Sequence, residues 1–276
     1  MHLPYVTLPP IDLRWAGLGQ LDWFSVLVAL AIVVGVAVYD RVVARGGDVE
    51  PGSWLPEVTV VGGLVGAHLV HVLAYHPELM RDDPWVLVKI WAGLSSVGGF
   101  VGAALAALVL LRAKRQAFFP YADRLVVGLT VGWIFGRLGC ATAHDHPGRL
   151  TDFPLGVAFP DGVRHDLGLY ELLLTLFVLL PLLVAASRRP WRTGTLLGSW
   201  LAVYGAARLG LDVLRATDRS FVDARYLGLT PAQYVSAAML VGGVALLVRS
   251  RRAHWSLQPP LWGRPELGRA PGRDVL

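Results

Sequence analysis

Runs of about twenty apolar residues recur along this chain and limit what it can fold into. A helix needs about 20 residues to cross a hydrocarbon core of ~30 Å. Seven stretches reach or approach that length, over approximately residues 21–39, 58–75, 91–111, 125–140, 167–186, 194–214 and 231–248. The composition agrees, since 54% of the 276 residues are hydrophobic and only 16% are charged. The sequence therefore predicts an all-α polytopic membrane protein with seven transmembrane helices.

Basic residues in the connecting loops predict the orientation of these helices. Arginines follow spans one, three, five and seven, for example Arg41, Arg112, Arg188 and Arg249. Loops rich in arginine and lysine remain on the cytoplasmic side of the membrane. We therefore expect the N-terminus outside, the C-terminus in the cytoplasm, and a periplasmic loop of residues 141–166 between helices four and five. In a bacterium this topology belongs to the inner (cytoplasmic) membrane.

Segments outside the spans are expected to be short accessories to one membrane domain, residues 1–252. Residues 1–20 include an amphipathic run with Trp15 and should lie at the membrane interface; they lack the pattern of a cleaved signal peptide. Residues 253–276 are rich in Arg, Pro and Gly and are predicted to be a disordered cytoplasmic tail. The net charge of +5 falls in short loops, which favours a membrane surface over nucleic acid.

Three of the spans carry polar side chains along one face of the helix. They are His68, His71 and Tyr75 in span two, Arg137 in span four, and Tyr204, Arg208, Asp212 and Arg215 in span six. An arginine or aspartate in mid-membrane costs about 2.5–3.5 kcal/mol on insertion scales. Such groups should therefore face the bundle interior or a water-filled cavity.

Each of these features also has a purely structural interpretation. Arg208 and Asp212, four residues apart, could neutralise each other. The glycines at four-residue spacing in span four suit close helix packing. His68 and His71 could be hydrogen-bonded core histidines, and a pair of histidines is weak support for a metal. Cys140, the single cysteine, excludes an internal disulfide and suits a small position at a helix end.

The excess of arginine over carboxylate is harder to explain structurally. Arg137, Arg208 and Arg215 approach the outer boundary, where Asp212 is the intrahelical counter-charge. The planar guanidinium suits recognition of phosphate. The pattern favours an anionic phospholipid headgroup, with transport of a small anion as the competing interpretation.

Four motifs in order extend this interpretation. They are residues 93–99 (GLSSVGG), residues 136–140 (GRLGC) with Asp145 eight positions after the arginine, residues 164–171 (RHDLGLYE), and residues 204–215 (YGAARLGLDVLR). Together they resemble the bacterial prolipoprotein diacylglyceryl transferase family over most of residues 20–248. The chain departs from the family pattern at three informative places. Val97 replaces a histidine proposed as the base, His68 stands in place of an arginine, and Asp145 in place of a glutamate.

The resemblance implies transfer of the diacylglyceryl group of phosphatidylglycerol to the lipobox cysteine of a prolipoprotein signal peptide. The products would be a thioether-lipidated protein and glycerol phosphate. Arg137 and Arg208 are the expected phosphate ligands. Because Val97 cannot accept a proton, His144, Asp145 and His146 are the candidate bases, followed by His68 or His71. The substrate-binding residues expected from the same motifs are His68, Gly136, Gly139, His165, Tyr170, Glu171, Tyr204, Asp212 and Arg215.

Two alternatives accompany this expectation. The loss of the histidine at Val97 favours an inactive or repurposed relative that binds phospholipid or a lipoprotein precursor. The arginine stripe alone would also suit a small-anion transporter, although such proteins commonly show repeats or broken helices. We expect no metal, no soluble cofactor and no nucleic acid to be required.

Overall fold

The computed structural model describes residues 2–17, 19–50, 54–90, 93–218, 225–252 and 255–262. Within these residues, seven helices have 18 residues or more. They are α1 (Trp23–Val43), α2 (Leu55–Tyr75), α3 (Ser96–Ala113), α4 (Phe118–Ala143), α5 (Leu167–Ser187), α6 (Thr195–Asp212) and α7 (Pro231–Arg252). Each of them overlaps one predicted span, and the largest difference is at the start of α4, which begins at Phe118 rather than near Leu125.

The helices make this a mostly helical, polytopic membrane protein. In the described part of the chain, six helices are long and apolar enough to cross a membrane. The remaining one, α6, includes the buried residues Arg208 and Asp212. These polar residues lower the hydropathy of α6, which explains why it is not among the six, although its length matches the sixth predicted span. Two helices each contain one wider π-helical turn, at His71–Tyr75 in α2 and at Thr175–Leu179 in α5.

Small residues allow the helices to pack in three close pairs, α1 with α4, α2 with α3, and α6 with α7. A Cβ added at Gly66 of α2 would overlap the carbonyl oxygen of Gly98 in α3. In α4, Gly128 and Gly132 similarly approach the backbone of α1. This close approach is how membrane helices gain contact without a hydrophobic driving force. The packing interpretation of the glycines in span four is confirmed at these two positions.

Capping residues account for several helix ends. Asp22 accepts a hydrogen bond from Ser25 N at 2.7 Å and begins α1. Asp166 accepts one from Leu169 N at 3.0 Å and begins α5. At the other end of α4, His144 adopts the left-handed conformation (φ 50°, ψ 36°), which stops the helix and turns the chain. This turn sets the direction of the loop that follows.

The loop between α4 and α5 is a small antiparallel sheet, which the sequence did not predict. Its strands are β1 (Pro147–Leu150), β2 (Val157–Phe159) and β3 (Gly162–Asp166), in the order β1-β3-β2. The N-terminal segment lies against it, because Leu3 bridges to Val157. The same segment forms a short hairpin of Ile11–Asp12 with Gln20–Leu21, and Trp15 at its tip is 85% exposed.

Part of the expected disordered tail is instead packed against the helices. Leu257–Gln258 pairs with Trp191–Arg192 as a second two-stranded ladder. Gln258 and Leu261 are buried, and Leu261 joins the main apolar core among α1, α4, α5 and α6. The expectation of disorder therefore does not hold for residues 255–262. Residues 253–254 and 263–276 lie outside the described residues.

Candidate active site

Glu171 lies at the centre of a buried ionic cluster. Its carboxylate forms ion pairs with Arg137, at 2.9 Å, and with Arg208, and it accepts a hydrogen bond from the Tyr204 hydroxyl at 2.8 Å. The carboxylate itself is fully buried. These residues come from α5, α4 and α6, so the cluster joins three helices. Two guanidinium groups thus share one carboxylate in the interior of the bundle.

Arg137 keeps one donor that the protein does not use. Its Nη1 lies 3.7 Å from Cys140 Sγ, and its guanidinium stacks over the Trp133 ring at 4.5 Å. Its Nε is buried and has no hydrogen-bond partner in the described part of the chain. A buried donor without a partner is costly, by about 1–3 kcal/mol. An oxygen atom of a bound anion would remove that cost.

Asp212 is the last residue of α6 and interacts with three neighbouring side chains. It accepts hydrogen bonds from Arg215 Nε at 2.7 Å and from Thr230 Oγ1 at 2.6 Å, and it lies 3.7 Å from Arg208. Mutual neutralisation of Arg208 and Asp212 is therefore secondary, because Arg208 pairs more closely with Glu171. Three arginines of this region face two carboxylates, Glu171 and Asp212. The remaining positive charge favours binding of an anion.

The three loop residues after α4 do not act together. His144 Nδ1 donates a hydrogen bond to Asp166 Oδ2 at 2.6 Å, and its ring stacks on Tyr5 at 4.2 Å. Asp145 and His146 instead hydrogen-bond to each other. Ligand atoms of Asp145, His146 and Cys140 all lie within 4.8 Å of one another. Of the candidate bases, the Asp145–His146 pair is therefore the one placed beside Arg137's neighbour, Cys140.

Residues before α5 support this loop. His165 Nδ1 lies 2.9 Å from the Tyr170 hydroxyl. Burial, together with the positive charge of Arg149, lowers the pKa of His165 below its ordinary value. Arg164 forms a bidentate ion pair with Asp218, at 3.0 and 2.6 Å. The strand β3 (Gly162–Asp166) is thus held by pairs distinct from the Glu171 cluster.

His68 has a structural position rather than a place in the arginine cluster. It is buried, and its ring nitrogens lie 3.1 Å from Gly93 O and 2.8 Å from Val86 O. It ties α2 to the segment before α3, as the interpretation of a hydrogen-bonded core histidine required. The expected substrate-binding role of His68 stays a prediction. Val97 is buried in the first turn of α3.

The two glycines beside Arg137 differ in their surroundings. A Cβ added at Gly136 would meet nothing within 4 Å, whereas one at Gly139 would contact Phe24 of α1. Gly139 is therefore a packing position. At Gly136 the space that a side chain would occupy is open.

Comparison with known proteins identifies the family behind this geometry. The family model described as prolipoprotein diacylglyceryl transferase matches residues 10–249. The chain belongs to the prolipoprotein diacylglyceryl transferase family. The resemblance inferred from the four motifs is confirmed.

Several relatives in this family are similar along almost their whole length. Proteins named phosphatidylglycerol–prolipoprotein diacylglyceryl transferase from Nitrosomonas europaea and Pseudoalteromonas atlantica are 31% and 32% identical to the chain. Each alignment covers 88% of the chain, and 87% and 86% of the relative. The protein of the same name from Chromohalobacter salexigens is 30% identical, over 90% of the chain and 95% of the relative.

The sequence predicts a substrate-binding role for Glu171, but it does not predict that Glu171 is the shared counter-ion of Arg137 and Arg208. A signal was present, because Glu171 is the only carboxylate in the apolar α5 span. A single carboxylate in a membrane span needs a polar or charged partner, as an arginine does, because an unpaired charge in the membrane is costly. Thr230, which contacts Asp212, and Trp133, which contacts Arg137, could not be identified from the sequence in this way.

Proposed function

We propose that this chain transfers the diacylglyceryl group of phosphatidylglycerol to the lipobox cysteine thiol of a prolipoprotein, releasing glycerol phosphate. The relatives named for this activity support the proposal. The observation that carries it is the buried cluster in which Arg137 and Arg208 share Glu171 and retain excess positive charge. Such a cluster fits an anionic headgroup presented at the edge of a bilayer.

The orientation proposed from the basic loops places this cluster at the outer face of a bacterial inner membrane. All seven helices then cross, with the N-terminus outside and the C-terminus in the cytoplasm. The α6 helix crosses with its polar face turned inward, since Tyr204, Arg208 and Asp212 are all buried. Residues 1–252 form the membrane domain in this arrangement. The sheet of residues 147–166 lies on the periplasmic side, where prolipoproteins are presented.

The arginines stabilise charge that develops on the phosphate. Phosphatidylglycerol is a phosphodiester with one negative charge, and the departing glycerol phosphate is a monoester with a second ionisable oxygen. Guanidinium donors aimed at these oxygens favour the transition state. Arg137, with its unused Nε, and Arg208 contact the phosphate, and the more exposed Arg215 lies at the rim. Tyr204 and Asp212 orient the arginines.

The incoming thiol must lose its proton, because the thiolate is the nucleophile. The sulfur attacks the glycerol carbon of the diacylglyceryl group, the carbon–oxygen bond to phosphate breaks, and the leaving phosphate takes the electron pair. Asp145 and His146 form the pair that accepts the proton; His144 is held by Asp166 and is the weaker candidate. The open space beside Gly136 admits substrate, and His165 with Tyr170 supports the periplasmic edge.

Complementation tests the proposal directly. The chain is expressed in bacterial cells depleted of their own diacylglyceryl transferase, and the labelling of a lipoprotein with radioactive lipid is followed together with its mobility. We expect lipidation to be restored. Absence of lipidation by inserted, folded protein would overturn the proposal and favour a relative that binds phospholipid without transferring it.

A further inference from the structure

Cys140, Asp145 and His146 form a compact group with three kinds of donor atom. A thiol sulfur, a carboxylate oxygen and an imidazole nitrogen all lie within 4.8 Å of one another. The group forms because α4 ends at Ala143 and His144 turns the chain back in the left-handed conformation. Cys140 in the last turn of the helix thereby meets the first two residues of the loop.

This donor set matches the ligands of borderline metal ions. Zn²⁺ binds cysteine sulfur at about 2.3 Å and imidazole nitrogen and carboxylate oxygen at about 2.0–2.2 Å. Ligand atoms of one tetrahedral ion therefore lie within about 4 Å of each other, close to the spacing in this group. Hard ions such as Mg²⁺ prefer oxygen ligands alone. We propose that Cys140, Asp145 and His146 bind a divalent transition metal, with Zn²⁺ as the best match.

The charges around the group are compatible with a divalent cation. Cys140 as thiolate and Asp145 as carboxylate would contribute two negative charges, which balance the ion. A positive charge lies close to the group, because Arg137 Nη1 is 3.7 Å from Cys140 Sγ. Glu171 pairs with that guanidinium at 2.9 Å and reduces its repulsion of the metal. The carbonyl end of α4 adds a favourable partial negative charge.

Access to the group is one-sided. Cys140 is buried, whereas the side chains of Asp145 and His146 are 37% and 25% exposed. A metal can therefore enter from the periplasmic surface and still rest on a buried thiolate. Three protein ligands leave a fourth position open, which is the arrangement of catalytic rather than structural zinc.

One consequence rests on the proposed function. A metal with an open position can bind the lipobox thiol as a thiolate, and coordination deprotonates a thiol outright. The proton would pass to water as the sulfur replaces a metal-bound water molecule. The sulfur then attacks the glycerol carbon and the phosphate leaves with the electron pair. In metal-free protein the Asp145–His146 pair accepts the proton, as proposed above. With metal bound, coordination would take over that role and compensate for Val97.

Cobalt(II) binding tests the site without any substrate. The full-length chain is purified in detergent, stripped with a chelator, and titrated with Co²⁺ while its absorption spectrum is recorded. We expect one equivalent to bind, with d–d bands of a four-coordinate ion and a sulfur-to-cobalt charge-transfer band. The charge-transfer band should disappear in Cys140→Ser, and His146→Gln should weaken binding by at least about 10-fold. His76→Ala, in the segment that follows α2, is the matched histidine control and should bind as the wild type does.

If Cys140→Ser does not fold, Asp145→Asn tests the site instead. Asp145 is exposed, so its replacement should leave the fold intact. Absence of the charge-transfer band in the wild type, or its persistence in Cys140→Ser, would overturn the metal site. A lipidation assay on stripped and zinc-loaded protein separates the two proposals. Metal binding without any lipidation would overturn the proposed function and leave the site standing. Lipidation without metal binding would overturn the metal site and leave the proposed function standing.

Discussion

Arg137 Nη2 and Glu171 Oε2 lie 2.9 Å apart, and neither side chain is more than 4% exposed. The same carboxylate also pairs with Arg208. Each of the two charges is therefore tolerated in the bundle only because the other is present. Removing one partner of a buried ion pair leaves an uncompensated charge, which destabilises a protein by about 3–5 kcal/mol.

Glu171→Gln should therefore be strongly destabilising. The amide keeps the size of the side chain and can still accept from Tyr204, but it leaves two buried guanidinium charges without their shared carboxylate. We expect a clear drop in the unfolding temperature of detergent-solubilised protein. Glu57→Gln, at an exposed position of α2, is the control and should leave that temperature unchanged. Equal unfolding temperatures for the two variants would contradict the assignment.

Arg137→Lys should reduce diacylglyceryl transfer by about 10²-fold or more, the usual effect of losing one donor to a developing oxyanion. Lysine preserves the charge but cannot pair with Glu171 and a phosphate oxygen through one planar fork. The rate is measured with phosphatidylglycerol and a lipobox peptide. Arg41→Lys, exposed at the end of α1, should retain the wild-type rate. A wild-type rate for Arg137→Lys would remove phosphate binding from this residue.

Gly66→Ala should destabilise the α2–α3 pair. The new Cβ would lie 2.7 Å from Gly102 Cα, so the helices would have to separate. Overpacking of this kind costs about 1–3 kcal/mol. In Gly242→Ala the same substitution meets nothing within 4 Å and should be neutral or stabilising. The comparison uses thermal unfolding in one detergent, and equal stability of the two variants would show that α2 and α3 are not in close contact.

The spans could be predicted from the sequence because each depends on local composition alone. Every one of the seven predicted spans contains a helix, including α6, where Arg208 and Asp212 reduce the apolar character. The helix ends extend beyond the apolar runs, as at α4, which begins at Phe118 rather than near Leu125. Polar residues such as Asp123 belong to that helix; Asp123 is buried and accepts hydrogen bonds from Gly194 N, just before α6, and from Leu197 N in its first turn.

Features built from distant residues could not be predicted in this way. The three- to five-residue strands of the sheet between α4 and α5 carry little local signal, and their pairing depends on context. Pairing of Leu257–Gln258 with Trp191–Arg192 is similarly non-local. In the site, the arginines were recognised, but their shared partner Glu171 comes from another helix. The different positions of the two loop histidines could not be predicted from the sequence either. His144 is turned toward Asp166, whereas His146 is turned toward Cys140.

The low pKa of His165 predicts how stability depends on pH. Because the folded protein binds this proton less readily than the unfolded chain, the unfolded state holds more protons as the pH falls. The histidine's contribution to the free energy of unfolding should be complete above pH ~6.5 and decline as the pH falls from there through the folded pKa. His165→Gln should flatten this part of the stability profile. An unchanged slope in the variant would assign the pH dependence to other groups.

His146→Ala should lower kcat by about 10²–10⁴-fold, the range for loss of a positioned proton acceptor. The KM for phosphatidylglycerol should change little, because the arginine cluster that binds the phosphate is intact. Asp145→Ala should show the same pattern, since Asp145 is hydrogen-bonded to His146. His144→Ala should act mainly on stability, because it removes the contact with Asp166 and the stacking on Tyr5. If all three variants kept the wild-type kcat, the thiol proton would have to leave by another route, and the histidines of α2 would be the next candidates.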